Sequence, residues 1–132
     1  MTTQPQMNKP GRRGLPRLMD ATRYSMRGFR AAWTHEEGFR TECMLLLFLA
    51  PAAVWLAQTG IEFVLLICSC LMVMLAEVIN SAIESVVDRV GLERHPLSGQ
   101  AKDLGSAAVF ICMMMVLLVW GTIAFTRFWP AI

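Results

Sequence analysis

Three apolar stretches, residues 43–58, 61–87 and 105–128, set the first limit on what this chain can become. A bilayer hydrocarbon core about 30 Å thick is crossed by about 20 helical residues. The second and third stretches reach that length. The first contains Pro51 and spans only if its ends take in Glu42 and Gln58. Only helices and closed barrels satisfy their backbone polar groups inside a bilayer. The pattern therefore predicts an all-α integral membrane protein with three transmembrane helices, over about residues 42–58, 61–90 and 102–128. Composition agrees, with 55% hydrophobic residues and a mean hydropathy of +0.49. The 132 residues leave room for one domain, over residues 14–132, after a polar stretch 1–13 that reads as a disordered tail. The first 40 residues hold basic side chains but no apolar signal core or small-residue cleavage site, so no signal peptide is expected.

The net charge is only +2, yet the basic residues are unevenly placed. Lys9, Arg12, Arg13, Arg17, Arg23, Arg27, Arg30 and Arg40 precede the first span, and Arg89, Arg94 and Lys102 lie between the second and third. Arg127 alone falls on the other side. Positive charge stays in the cytoplasm, which predicts a cytoplasmic N-terminus and second loop, an external turn at residues 58–62 and an external C-terminus.

From Leu15, apolar Leu18, Met19, Met26, Phe29 and Trp33 recur at helical spacing, with Arg23, Arg27 and Arg30 opposite. This predicts an amphipathic surface helix over about residues 15–33, its basic face suited to anionic headgroups. Residues 33–42 read as a polar hinge containing Gly38. Trp120, Phe125, Phe128 and Trp129 form an aromatic belt, with Pro130 as a helix stop. Cys43, Cys68, Cys70 and Cys112 sit in or beside the spans; Cys68 and Cys70, two apart, point in nearly opposite directions on a helix, and all four read as small apolar packing residues, not ligands or disulfides.

The second span continues without a break into Ala76-Glu77-Val78-Ile79-Asn80-Ser81-Ala82-Ile83-Glu84-Ser85-Val86-Val87-Asp88-Arg89. At about 100° per residue, Asn80, Glu84 and Asp88 return to within about 60° of Glu77, giving one polar stripe. Inserting an acidic residue at a helix centre costs roughly 2.5–3.5 kcal/mol, so such residues are rarely idle. Counted from Ile61, Glu77 lies about 24 Å along the helix, near the cytoplasmic edge of the hydrocarbon. The stripe therefore runs from that edge into water, where it can meet a lipid headgroup at one end and a soluble reagent at the other.

The following loop supplies a complement. His95-Pro96-Leu97-Ser98-Gly99 reads as a turn with Ser98 as helix N-cap, followed by Lys102, Asp103 and Ser106, which gives a cation at Lys102 opposite Glu84 and Asp88. Carboxylates, an amide and a lysine at a water–lipid boundary suit Mg²⁺–phosphate chemistry, since Mg²⁺ takes one or two carboxylates plus phosphate oxygens. A purely structural network of interhelical hydrogen bonds and ion pairs is the alternative reading of the same residues. A proton- or cation-coupled transporter would place its carboxylate near the midplane, and a membrane adaptor would turn over no ATP. No G-x-x-x-x-G-K-[ST] and no G-x-G-x-x-G occurs, so a nucleotide site here is built without a glycine-rich phosphate loop.

The second-span run, the Ser98-Gly99-Gln100-Ala101-Lys102-Asp103-Leu104-Gly105-Ser106-Ala107-Ala108 run and the Gly28-Phe29-Arg30-Ala31-Ala32-Trp33…Glu36…Phe39-Arg40…Glu42 run together resemble the small prokaryotic diacylglycerol kinases, over about residues 14–122. The resemblance implies a homotrimer in the bacterial inner membrane, with an N-terminal surface helix and active sites shared between subunits. It implies transfer of the γ-phosphoryl of Mg·ATP to the hydroxyl of diacylglycerol, and no nucleic-acid partner. Undecaprenol is the acceptor in a related branch. Glu77 resembles the family's general base, strengthened by partial desolvation at the hydrocarbon edge, and Glu36 and Glu84 its metal-bound carboxylates. Arg17, Tyr24, Glu93, Arg94, His95, Lys102 and Asp103 resemble nucleotide contacts, with Glu36 and Glu84 reaching the nucleotide through the metal. Ala31, Ala32, Trp33, Gly38, Phe39, Arg40, Thr41, Glu42 and Ser106 resemble the lipid-contacting surface, and Asn80 and Asp88 line the same site. His35 and Glu37-Gly38 depart from the family pattern.

Overall fold

The structure, a computed structural model, describes residues 14–91 and 95–129. The expected tail at residues 1–13, the loop residues Glu93 and Arg94, and Pro130 lie outside the described residues. Four helices account for nearly all of the rest: α1 (Leu15–His35), α2 (Glu37–Leu56), α3 (Gly60–Val90) and α4 (Pro96–Phe128). The last three are long and apolar enough to cross a membrane.

The first helix opens on Gly14 at φ 74°, a left-handed conformation that favours glycine, with Pro16 in the first turn where its missing N–H costs nothing. It runs to His35, and the expected hinge over residues 33–42 contracts to one residue. Glu36 alone is extended (φ −108°, ψ 114°) before α2 begins at Glu37. Arg40 explains how so sharp a break is held. Its Nη1 donates to the carbonyls of Trp33 at 3.0 Å and Thr34 at 3.4 Å, two acceptors that the end of α1 leaves without helical partners. Across the hinge Phe29 stacks on Phe39 at 6.3 Å, and Ala32 and Phe39 are buried.

Helix α2 continues through Pro51, whose missing N–H is tolerated in an apolar helix, so the first span is a single helix starting earlier than Glu42. At its far end Thr59 caps α3 by accepting from the Glu62 N–H at 3.2 Å, and the Glu62 carboxylate accepts from the Gln58 N–H at 2.6 Å. This reciprocal cap fixes the short turn and uses the acidic side chain locally.

Helix α3 is the centre. It packs chiefly on α4, less on α2, while α1 touches mainly α2. Its buried residues Leu66, Ser69, Cys70, Val73 and Ala76 fall on one helical face. Ala53, Leu56, Leu66 and Ile123 form one cluster and Val73, Ala76 and Val109 a second. The small residues among them allow close helix approach. Cys70 is buried and Cys68 exposed, as their spacing predicts, and all four cysteines are free. Phe125 stacks on Trp129, and Phe128 meets Trp55 at 5.8 Å, so the aromatic side chains gather at the end where α2 and α4 finish.

Ser98 is not the cap of α4. The helix starts at Pro96, and His95 Nδ1 accepts from the Leu97 N–H at 3.2 Å, leaving Ser98 inside the first turn. Proline at the first helical position needs no donor partner, which shifts the cap upstream. With 31 and 33 residues, α3 and α4 are about 46 Å and 50 Å long and outreach a hydrocarbon core of about 30 Å.

Candidate active site

Because α2 and α3 are antiparallel, the N-terminal turns of α2 lie beside the C-terminal half of α3. Helix α4 starts from that same end. The polar stripe is thus the meeting place of the hinge, α2, α3 and α4. Glu77 is partly buried, and its carboxylate lies against the backbone of Gly38 on α2. A Cβ built at Gly38 would come 2.5 Å from Glu77 Oε1 and 3.0 Å from Cδ. Glycine at residue 38 leaves room for the Glu77 carboxylate between two helices.

Three more acids lie within electrostatic reach of that carboxylate. Glu36 and Glu84 are near enough for their charges to repel Glu77, and Glu42 and Glu77 repel each other in the same way. One turn along, Asn80 Nδ2 donates to Glu84 Oε1 at 3.1 Å. A carboxylate only accepts, so the amide nitrogen has to face Glu84. That turns Asn80 Oδ1 towards Gly105 on α4, where it is buried and takes no hydrogen bond among the described residues. At the water-facing end Lys102 Nζ pairs with Asp88 Oδ1 at 2.6 Å, and the lysine also feels the charge of Glu84. The lysine expected opposite Glu84 and Asp88 is thus seated on Asp88.

The expected nucleotide and lipid residues are distributed differently. Arg17 and Tyr24 are exposed on α1, with the Arg27 guanidinium 5.8 Å from the Tyr24 ring centroid. Asp103 and Ser106 are exposed near the start of α4. Among the described residues no hydrogen bond or ion pair ties Arg17, Tyr24 or Asp103 to the stripe. A cleft of about 280 Å³ between α1 and α3 is lined by Gly28, Ala31, Ala32, His35, Glu36, Val78, Ser81, Ala82 and Ser85. It brings Ala31, Ala32 and Glu36 together on the face of α3 next to the stripe. Trp33 is exposed, Thr41 bonds back to the Glu37 carbonyl, and Arg40 clamps the hinge.

Among the described residues no group of three or more His, Cys, Asp or Glu side chains is placed to hold a metal ion unaided. The donor set is instead hard carboxylate oxygen, crowded with like charge around Glu77. Such a set suits a Mg²⁺ ion that arrives with phosphate oxygens completing its shell.

Residues 23–124 match the family model described as prokaryotic diacylglycerol kinase. The chain belongs to the prokaryotic diacylglycerol kinase family. Within this family it is 51% identical over 112 residues to the diacylglycerol kinase of Haemophilus influenzae, covering 85% of this chain and 95% of that protein. It is 46% identical over 115 residues to that of Escherichia coli, covering 87% and 94% of the two chains. The Pseudomonas aeruginosa diacylglycerol kinase is 47% identical over 113 residues, covering 86% and 92%. The family match takes in the hinge, the whole α3 stripe and the start of α4, but not Arg17.

Two placements were not visible in the sequence. Gly38 was expected at the lipid surface, yet its nearest neighbour is the Glu77 carboxylate. Gly105 was not singled out at all. The available signal was a glycine in the interior of a long helix, which costs about 1 kcal/mol against alanine and usually has a packing reason.

Proposed function

We propose that this protein is an ATP-dependent lipid kinase of the bacterial inner membrane that transfers the γ-phosphoryl of Mg·ATP to the hydroxyl of diacylglycerol, giving phosphatidic acid. The observation that carries this reading is the position of Glu77: partly buried against Gly38, within electrostatic reach of Glu36, Glu42 and Glu84, and on the same end of the bundle as the Lys102–Asp88 pair. The relatives are named diacylglycerol kinases, which supports diacylglycerol as the acceptor here.

In this reading Glu77 Oε1 or Oε2 takes the proton of the lipid hydroxyl as that oxygen bonds to the γ-phosphorus. The bond from the γ-phosphorus to its bridging oxygen breaks, and ADP leaves with the electron pair. Phosphoryl transfer asks mainly for positioning and charge stabilisation, which a sparse site provides. Glu36 and Glu84 would hold Mg²⁺, which would offset charge on the phosphates. Lys102 neutralises charge developing on the transferring group, with Asp88 fixing the lysine and Asn80 fixing Glu84. Arg17, Tyr24, Glu93, Arg94, His95 and Asp103 complete the nucleotide contacts. Ala31, Ala32, Trp33, the turn from Gly38 through Phe39, Arg40 and Thr41 to Glu42, and Ser106 meet the lipid.

The working unit in this proposal is a homotrimer, in which Arg17 and Tyr24 of one subunit serve the stripe of a neighbour. Support comes from the family resemblance and from Arg17 and Tyr24, which stand exposed on α1 with no bond to the stripe of their own chain among the described residues. Helix α1 lies in the cytoplasmic interface, its exposed Leu15, Leu18, Met19 and Met26 in the lipid and its arginines towards headgroups. The N-terminus and the loop before α4 face the cytoplasm, and the C-terminus faces outward. Residues 14–132 act as one domain.

The test is label transfer. Purified protein is given Mg·ATP labelled in the γ-phosphoryl, with mixed micelles containing diacylglycerol or undecaprenol. Label in phosphatidic acid is expected, and its loss in Glu77→Gln with folding retained. Label only in undecaprenyl phosphate would change the acceptor. No lipid label from folded wild-type protein would overturn the kinase reading.

A further inference from the structure

We infer that Gly105 on α4 is a positioning residue for the phosphoryl-transfer site, acting through Asn80 to fix the orientation of Glu84; this rests on the kinase reading above. The chain of contact is short. Gly105 is buried, and a Cβ built there would overlap Asn80 Oδ1, with the Asn80 Cγ at 3.2 Å. The nearest backbone atom, Asn80 Cα, stays at 3.6 Å, an ordinary contact distance. An added methyl therefore collides with the amide of Asn80 and not with helix α3 itself. Glycine at 105 is needed for a side chain and not for close helix packing.

The collision has one consequence for chemistry. The amide is held from both ends, with Oδ1 against the bare Gly105 backbone and Nδ2 donating to Glu84 Oε1 at 3.1 Å. Among the described residues its oxygen takes no hydrogen bond, so shape seats it. Space to yield lies alongside, in an apolar groove of about 300 Å³ lined by Asn80, Gly105, Ile79, Ile83, Leu104 and Ala108 among others. An amide pushed into that groove leaves Glu84, and a carboxylate without its donor is free to rotate. Partners of this kind, one step removed from a metal ligand, typically change metal affinity or activity about 10–100-fold when lost.

The experiment is a double-mutant cycle on the full chain in micelles, with wild type, Gly105→Ala, Asn80→Ala and the double variant. Label transfer is read as a function of Mg²⁺ concentration, and thermal unfolding is followed in parallel. Gly105→Ala is expected to raise the Mg²⁺ concentration for half-maximal rate by about tenfold or more, while the KM for lipid stays near wild type. In the Asn80→Ala background, where the amide is gone, the same substitution is expected to leave the Mg²⁺ requirement unchanged and the unfolding temperature unchanged or slightly raised. If Gly105→Ala does not fold, recovery of folding in the double variant supports the inference and its absence overturns it. An equal penalty in both backgrounds, or lost rate at an unchanged Mg²⁺ requirement, also overturns it. Wild-type protein that labels no lipid would sink the kinase reading separately, and the unfolding cycle would still report whether residues 80 and 105 are coupled.

Discussion

Gly38→Ala separates the chemistry of Glu77 from the stability of the fold. The new Cβ would stand 2.5 Å from Glu77 Oε1. To reach ordinary contact the carboxylate has to retreat by about 0.9 Å, and a displacement of about 1 Å in a reacting group can cost about 100-fold in rate. That corresponds to about 2.7 kcal/mol of barrier. Stability should move the other way or not at all. The colliding atoms are the far end of a flexible side chain, which yields cheaply, while alanine in a helix is better than glycine by at most about 1 kcal/mol. The expected outcome is turnover lowered by about two orders of magnitude, with an unfolding temperature unchanged or slightly raised. The assay is label transfer to diacylglycerol at saturating lipid and Mg·ATP, beside thermal unfolding in the same micelles. Gly99→Ala serves as control, since no atom lies within 4 Å of its added Cβ, and it should keep turnover within about twofold. Wild-type turnover in Gly38→Ala would refute the reasoning, because Glu77 could then not be acting from its place against α2.

Other outcomes follow from the same geometry. Lys102→Met breaks a pair whose side chains are 38% and 62% exposed, so the unfolding temperature should change little while label transfer falls far more. Glu84→Gln should raise the Mg²⁺ concentration needed for half-maximal rate, and chelation should stop label transfer by wild type reversibly; unchanged metal dependence would remove Glu84 from the metal site. Thr59→Ala removes the cap of α3 at the opposite end of the bundle, and should lower stability by about 0.5–2 kcal/mol with the specific activity of folded protein unaltered.

The comparison of sequence with structure turns on which interactions are local. Residues that belong to one helix were legible: the three spans from their length, Glu77, Asn80, Glu84 and Asp88 from their shared face, and Cys68 and Cys70 from their opposed directions. The α1–α2 junction was less so. Residues 33–42 looked like a polar hinge because no pattern in them announces that Arg40 reaches back to the Trp33 and Thr34 carbonyls and lets helix form on both sides of Glu36. The cap of α4 was misplaced for a similar reason, since Ser98 is the stronger cap by residue type but Pro96 and the His95 ring together start the helix sooner.

By itself the sequence determined that this chain is helical and apolar, that it carries an acidic stripe at one end of its second span, and that a basic helix precedes the spans. These follow from periodicity and from the cost of placing charge in hydrocarbon. Tertiary structure alone decided what the stripe touches. Glu77 meets the backbone of Gly38, Asn80 is wedged against Gly105, and Lys102 closes on Asp88. A glycine carries no side chain that could point to its partner in a sequence. Only when two helices pack does the space it leaves become the mould for someone else's carboxylate or amide.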